Sequence, residues 1–167
     1  MKKYNRIFET ENYIKNLIIS ITKGSRLIDK RLSSKEYTLL RKWAKTQPIP
    51  KGYIYRVVRV EMPEFYDKHI YDAHQQNSLQ KDEPIKIKEF ESWTFNRDRV
   101  YSYGNAKKYS QEAVLFILDA SKIECVDLST YSVYPEEREV RNLNKEVCRI
   151  KKATYGKVGW ELLLDPL

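Results

Sequence analysis

The stretch Tyr53-Ile54-Tyr55-Arg56-Val57-Val58-Arg59-Val60 divides the chain into two halves of different character. It is dense in β-branched and aromatic residues and contains no breaker, which predicts a strand. The N-terminal half reads as helix. From Glu9 to Lys23, residues Tyr13, Ile14, Leu17, Ile18 and Ile21 recur at steps of three and four, the spacing of one helix face. Gly24 offers a C-terminal stop. A second helix is expected from about Ser34 to Thr46. Ser33 and Glu36 stand at capping-box spacing, and Tyr37, Leu40, Trp43 and Ala44 form its apolar stripe. Pro48 and Pro50 end it.

The C-terminal half reads mostly as strand. Residues 61–84 are polar and loop-like, with a helical turn expected near Ile70. Ile85 to Phe90 alternates apolar and polar, the mark of a half-buried strand, and runs on into Glu91-Ser92-Trp93-Thr94. Arg97 to Tyr109, with Gly104 inside it, reads as mixed turn and helix. Ala113 to Leu118 is an apolar run suited to a central strand. Cys125–Leu128, Val140–Leu143, Val147–Ile150 and Trp160–Leu164 complete the set, with a turn near Tyr155-Gly156. Helices first and six or seven strands after predict an α+β fold rather than the βαβα alternation of a doubly wound sheet.

The length of 167 residues suits one domain over 1–167, with a helical part at about 8–47 and a β core at about 52–165. Hydrophobic residues at 41% and charged residues at 32% indicate a globular chain rather than a disordered one. The net charge of +8 favours acidic partners: nucleic acid, an acidic protein or a phosphate-rich ligand. The excess is scattered in pairs such as Lys2-Lys3, Lys107-Lys108 and Lys151-Lys152. Cys125 and Cys148 form no CxxC and no metal-ligand spacing, so a reduced, cytosolic protein is expected. His69 and His74 are five apart, the wrong step for one helix face, and are expected in a surface loop with no metal. Leu17-Ile18-Ile19 is too short for a signal core or a membrane span, which predicts a soluble, unexported protein. With no GxGxxG and no GxxxxGK[ST], any dinucleotide would bind without a Rossmann turn or a P-loop.

Three segments carry candidate chemistry. Arg56 sits inside an otherwise apolar strand, where a buried guanidinium needs a partner and a phosphate matches its fork. Ser92 and Thr94 place hydroxyls at alternate positions, so both point to one face of a strand end. Tyr134-Pro135-Glu136-Glu137-Arg138-Glu139 brings carboxylates two positions apart. If a strand begins at Arg138-Glu139-Val140, Glu137 and Glu139 share a face and can serve one substrate. Taken singly, each has an ordinary reading: a solvent-facing arginine, the β-propensity of Thr and Trp, and an acidic turn.

Their order adds weight. Arg56, Ser92 and Glu139 succeed one another at intervals of 36 and 47 residues. In this the chain resembles the ADP-ribosyltransferases of the R-S-E class, the clostridial-toxin-like group. Tyr55-Arg56 looks like that family's aromatic-Arg pair, and Phe90-x-Ser92-Trp93-Thr94 like its aromatic-x-Ser-Thr-Ser stretch. Tyr134-x-x-Glu137-x-Glu139 matches its third motif in full. The resemblance covers roughly residues 10–165. It departs at Val57, where the family often has Gly, which leaves Arg59 as a rival to Arg56. It departs again at Trp93 and Thr94.

The resemblance implies N-terminal helices and a mixed or antiparallel β core of two packed sheets. It implies NAD as co-substrate, no metal, and transfer of ADP-ribose to a protein. Glu139 would stabilise the ribose cation, Ser92 would hold Glu139, and Thr94 would support the nicotinamide side. Arg56 would bind the NAD phosphates, Glu137 would serve the acceptor, and Tyr134 would meet the target. Glu at 137, rather than Gln, implies arginine as acceptor. Small unexported enzymes of this kind resemble phage-encoded transferases or intracellular toxins, acting in a cytoplasm that is the host's if the protein is phage-encoded. The basic surface fits an acidic or nucleic-acid-bound target. The rival readings are a nucleic-acid-binding module without catalysis, an NAD glycohydrolase on the same scaffold, and a catalytically dead binding scaffold.

Overall fold

A computed structural model describes residues 2–24, 32–76, 79, 81–103, 112–156 and 159–167. Helix α1 spans Lys2–Gly24, so it starts well before the expected Glu9. Its face buries Ile14, Leu17 and Ile18, while Tyr13, expected on that face, is 45% exposed. Helix α2 spans Ser34–Ala44 and opens with the expected capping box. The Glu36 backbone N–H donates to Ser33 Oγ at 3.2 Å, and the Ser33 N–H donates to Glu36 Oε1 at 2.9 Å. These bonds satisfy two amides that the first helical turn would otherwise leave unpaired. Leu40 and Trp43 of α2 meet Ile14 and Ile18 of α1 in a small core with Val126, Leu128 and Leu143.

The strands are β1 (Tyr53–Val60), β2 (Ile85–Ile87), β3 (Ser92–Thr94), β4 (Glu112–Asp119), β5 (Cys125–Asp127), β6 (Glu139–Asn142), β7 (Glu146–Tyr155) and β8 (Gly159–Pro166). They hydrogen-bond in the order β2-β7-β8-β4-β1-β3-β6-β5. The β4–β8 pair is parallel and every other pairing is antiparallel, so the sheet is mixed. Two packed sheets were expected, but the hydrogen bonds run through all eight strands as one sheet. The joint is narrow. β1 pairs with β4 along its whole length but with β3 only at Tyr55↔Thr94. Most of that edge of β1 is thus free of strand pairing, and a cleft opens there.

The main core lies under β1, β4, β7 and β8, around Ile54, Val114, Leu118, Ile150, Leu162 and Leu164. Trp93 and Val140 join it from β3 and β6. Full burial of each such side chain is worth about 1.5–3 kcal/mol against exposure. At the start of β8, Gly159 has φ +129°, and a Cβ there would stand 2.7 Å from the Ala113 carbonyl oxygen. Only glycine accommodates both constraints.

Several expectations are corrected. The strand predicted from Ile85 through Thr94 is two strands with different partners: β2 pairs with β7, whereas β3 pairs with β1 and β6. The break falls at Phe90, whose φ of 62° no extended strand permits. That split brings the strand count among the described residues to eight. Within residues 61–84 the helical turn expected near Ile70 is present and longer than one turn: a π-helical turn, Tyr66–Ile70, runs into α3 (Tyr71–His74). His69 and His74 therefore lie on helical backbone rather than in a loop, where Tyr66 Oη and His74 Nδ1 share a 2.7 Å hydrogen bond. Helix α4 spans Arg97–Tyr103, and the rest of the segment expected to reach Tyr109 lies outside the described residues. Among the described residues, no helix is long and apolar enough to cross a membrane.

Candidate active site

Strand alternation builds the site. β3 and β6 run antiparallel with Ser92 opposite Arg141, Trp93 opposite Val140, and Thr94 opposite Glu139. Side chains of period two therefore sort into two sets. Trp93 and Val140 point into the core, and Ser92, Thr94, Glu139 and Arg141 share the other face. Asn142 comes two positions after Val140 on the core side, fully buried. Its Oδ1 accepts from Trp93 Nε1 at 3.1 Å and from the Glu91 N–H at 3.0 Å. Its Nδ2 donates to the carbonyls of Lys88 (2.7 Å) and Asn144 (2.8 Å). Trp93, which departs from the family pattern, thus anchors β3 to β6 through its indole N–H.

Glu139 is only 6% exposed, so its carboxylate needs strong compensation. Ser92 Oγ donates to Oε1 at 2.9 Å. Arg141 donates to the same oxygen from Nε at 2.8 Å, and its Nη2 makes an ion-pair contact with it at 2.6 Å. Among the described residues Oε2 accepts no hydrogen bond.

Arg56 reaches the same place from β1. Nη1 donates to the Ser92 carbonyl at 2.8 Å, and Nη2 pairs with Glu91 Oε2 at 2.7 Å. Burial draws its pKa below the ordinary arginine value, and Arg141 adds to this while Glu91 opposes it. A guanidinium has five N–H donors and stays charged in proteins. Two of the five are engaged here, so a phosphate can still be held. Arg59 is exposed and does not line the cleft.

Glu137 arrives by a different route from the one expected. Residues Pro135–Glu137 form a 3-10 turn with Pro at its start, and Arg138 is left-handed at φ 45°. The strand begins only at Glu139, so strand alternation does not align the two carboxylates. The turn is instead fastened to β3. Thr94 Oγ1 donates to the Glu137 carbonyl and accepts from the Asn96 N–H, and the Phe95 N–H donates to the Arg138 carbonyl at 3.2 Å. The Arg138 guanidinium lies 4.9 Å from the centre of the Phe95 ring. Glu136 faces outward and makes a loose 3.8 Å ion pair with Arg99 of α4.

The result is a cleft of about 310 Å³ lined by Tyr55, Arg56, Ser92, Thr94, Glu137 and Glu139, together with Val57, Trp93, Arg99 and Val100. Five of the six residues singled out from the sequence meet there. Tyr134, the sixth, is 39% exposed on the adjoining turn and is not in the cleft wall. A larger hollow of about 710 Å³ runs between α2 and the loops flanking β5 and β6, but holds none of the six. Convergence of chemically suited groups outweighs size, so the smaller cleft is the candidate. Arg141, Glu91 and Asn142 were missed. The signal for Arg141 was present, since it stands two positions after Glu139 on a predicted strand.

No family model and no curated protein matches this chain. Solved structures do. The ADP-ribosyltransferase Vis from Vibrio splendidus, in complex with agmatine, is 15% identical at a TM-score of 0.57 over 93% of this chain and 74% of that one. The C3 exoenzyme of Clostridium limosum is 14% identical, with a TM-score of 0.58 over 91% of this chain and 84% of its own. C3stau2 from S. aureus, with NAD, is 13% identical, with a TM-score of 0.56 over 92% and 86%. Identities this low establish the fold, and the chain has the fold of these ADP-ribosyltransferases.

Proposed function

We propose that this protein is a mono-ADP-ribosyltransferase that takes ADP-ribose from NAD and attaches it to an arginine of a target protein. One observation carries the reading. A buried carboxylate, Glu139, is pinned through one oxygen in a cleft that also presents Arg56 and a second carboxylate, Glu137. Cleaving the bond between ribose and nicotinamide leaves positive charge on the sugar. The oxygen of Glu139 left over from that hold would stabilise the charge and accept a hydrogen bond from the ribose 2′-hydroxyl. Ser92 and Arg141 hold the carboxylate while this happens. The remaining N–H donors of Arg56 suit the diphosphate.

The bond electrons leave with nicotinamide, which departs neutral. A guanidino nitrogen of the acceptor forms the new bond to the ribose carbon, and its surplus proton passes to Glu137. The cleft is at the small end of the roughly 300–1,000 Å³ common for ligand sites, which suits the nicotinamide-ribose end of NAD. Thr94 commits its only O–H to the Glu137 carbonyl, so it acts here as the clamp of the acceptor turn. Tyr134, exposed on that turn, would touch the target.

The likeness to a protein held with agmatine, which carries a guanidinium, and to one held with NAD supports both substrates. The +8 charge favours an acidic or nucleic-acid-bound target. Two unpaired cysteines accord with action in a reducing cytoplasm, the host's if the protein comes from a phage. The test supplies NAD and agmatine to the purified protein and measures nicotinamide and the agmatine adduct. Wild type should produce both, Glu139→Gln neither, and Glu137→Ala only residual nicotinamide. Nicotinamide without any guanidino adduct would reassign the protein to NAD hydrolysis.

A further inference from the structure

We infer that Arg141 is a positioning residue for Glu139, fixing the carboxylate plane so that one oxygen is held and the other is left for the sugar. The inference rests on the transferase reading. A glutamate's terminal torsion is broad, so the side chain alone does not fix the plane of its carboxylate. One Ser92 hydroxyl at 2.9 Å is a single donor and lets the plane swing about that bond. Arg141 adds Nε at 2.8 Å and Nη2 at 2.6 Å on the same oxygen. With Ser92 and both Arg141 nitrogens converging on one oxygen, a tilt of the carboxylate plane would break the set, whereas a half-turn only exchanges two equivalent oxygens.

The guanidinium is itself anchored. Its Nη1 donates to the Phe90 carbonyl at 3.1 Å, and its carbon lies 5.1 Å from the centre of the Phe90 ring. The left-handed backbone at Phe90 (φ 62°) stands at the turn that delivers that carbonyl, and the Phe90 N–H donates to the Asn142 carbonyl at 2.9 Å. The ring packs edge-on against Tyr37 of α2 with centroids 5.2 Å apart. The chain of contacts therefore runs from the helical half through Phe90 and Arg141 to one oxygen of Glu139. It also gives the break between β2 and β3 a purpose, since an unbroken strand would offer no such carbonyl. The side chains of Arg141 and Glu139 are 12% and 8% exposed, so water has little access to replace either partner.

Arg141→Lys and Arg141→Gln test the assignment, with NAD cleavage read as nicotinamide release. Lysine is a point charge that cannot bond Oε1 twice and the Phe90 carbonyl at once. A misplaced carboxylate should lower kcat by about 100-fold in Arg141→Gln and about 10-fold in Arg141→Lys, with KM for NAD within about twofold of wild type. Each variant is assayed below its own unfolding transition. If Arg141→Gln does not fold, the kcat-against-KM split in Arg141→Lys decides. Unchanged kcat, or a rise in KM alone, overturns the positioning role while leaving the transferase reading intact. A wild type that releases no nicotinamide overturns both.

Discussion

Replacing Asn142 with leucine should cost the protein a large part of its stability, although the two side chains share the same branched skeleton of heavy atoms. Asn142 is fully buried, and its amide makes four hydrogen bonds. Leucine strands all four partners: Trp93 Nε1, the Glu91 N–H, and the carbonyls of Lys88 and Asn144. A buried group left unpaired costs about 1–3 kcal/mol. The Trp93 indole, on a residue only 2% exposed, should bear the full amount. Lys88 is an exposed residue and Glu91 and Asn144 are half-buried, so water can recover part of the other three. The net loss is about 3–5 kcal/mol. Urea unfolding should show it as a lower midpoint with an unchanged slope. A loss under about 1 kcal/mol would refute the claim that this amide ties β3 to β6. Catalysis should suffer too, because Glu91 and Ser92, which hold Arg56 and Glu139, come directly after the loosened turn.

Ser92→Ala removes one of the two hydrogen bonds to Glu139 Oε1 and leaves the Arg141 ion pair, so NAD cleavage should fall by about 10-fold, less than in Glu139→Gln; equal losses would contradict the shared hold. Gly159→Ala forces both a φ of +129° and a 2.7 Å approach to the Ala113 carbonyl. It should lower stability by about 2 kcal/mol or more, visible as a drop in Tm, and an unchanged Tm would refute the close approach. Burial pushes the Cys125 thiol up to about 12 and the Cys148 thiol up to about 11. Both therefore stay protonated at about pH 8, and iodoacetamide should label the protein only in denaturant; rapid labelling of the native protein would contradict their burial.

Much of this was legible in the sequence because local rules and tertiary structure agree. Ser33 and Glu36 cap α2 as their spacing announces, and the β-branched run at Tyr53–Val60 is the strand it looks like. The polar half of the site was legible because Ser92, Thr94 and Glu139 obey strand alternation. What escaped depends on backbone departures that side-chain type does not signal. Phe90 is left-handed despite being bulky and aromatic, so the β2–β3 break was read through. Arg138 is left-handed too, so Glu137 reaches the cleft by a turn rather than along a strand. The helical turn expected near Ile70 is present, but its extent from Tyr66 to His74, burying Ile70 and Asp72, exceeds what this polar stretch signals. Arg141 was within reach of the same alternation, two positions after Glu139, but its grip on one carboxylate oxygen shows only in the structure.

The most direct measurement incubates the pure, folded protein with a tagged NAD analogue and a cell lysate, beside Glu139→Ala, and records labelled bands and free nicotinamide. The expected result is labelled protein in wild type, carried on arginine, and none in Glu139→Ala. Neither label nor nicotinamide from folded wild-type protein would contradict the assignment of this cleft to ADP-ribosyl transfer.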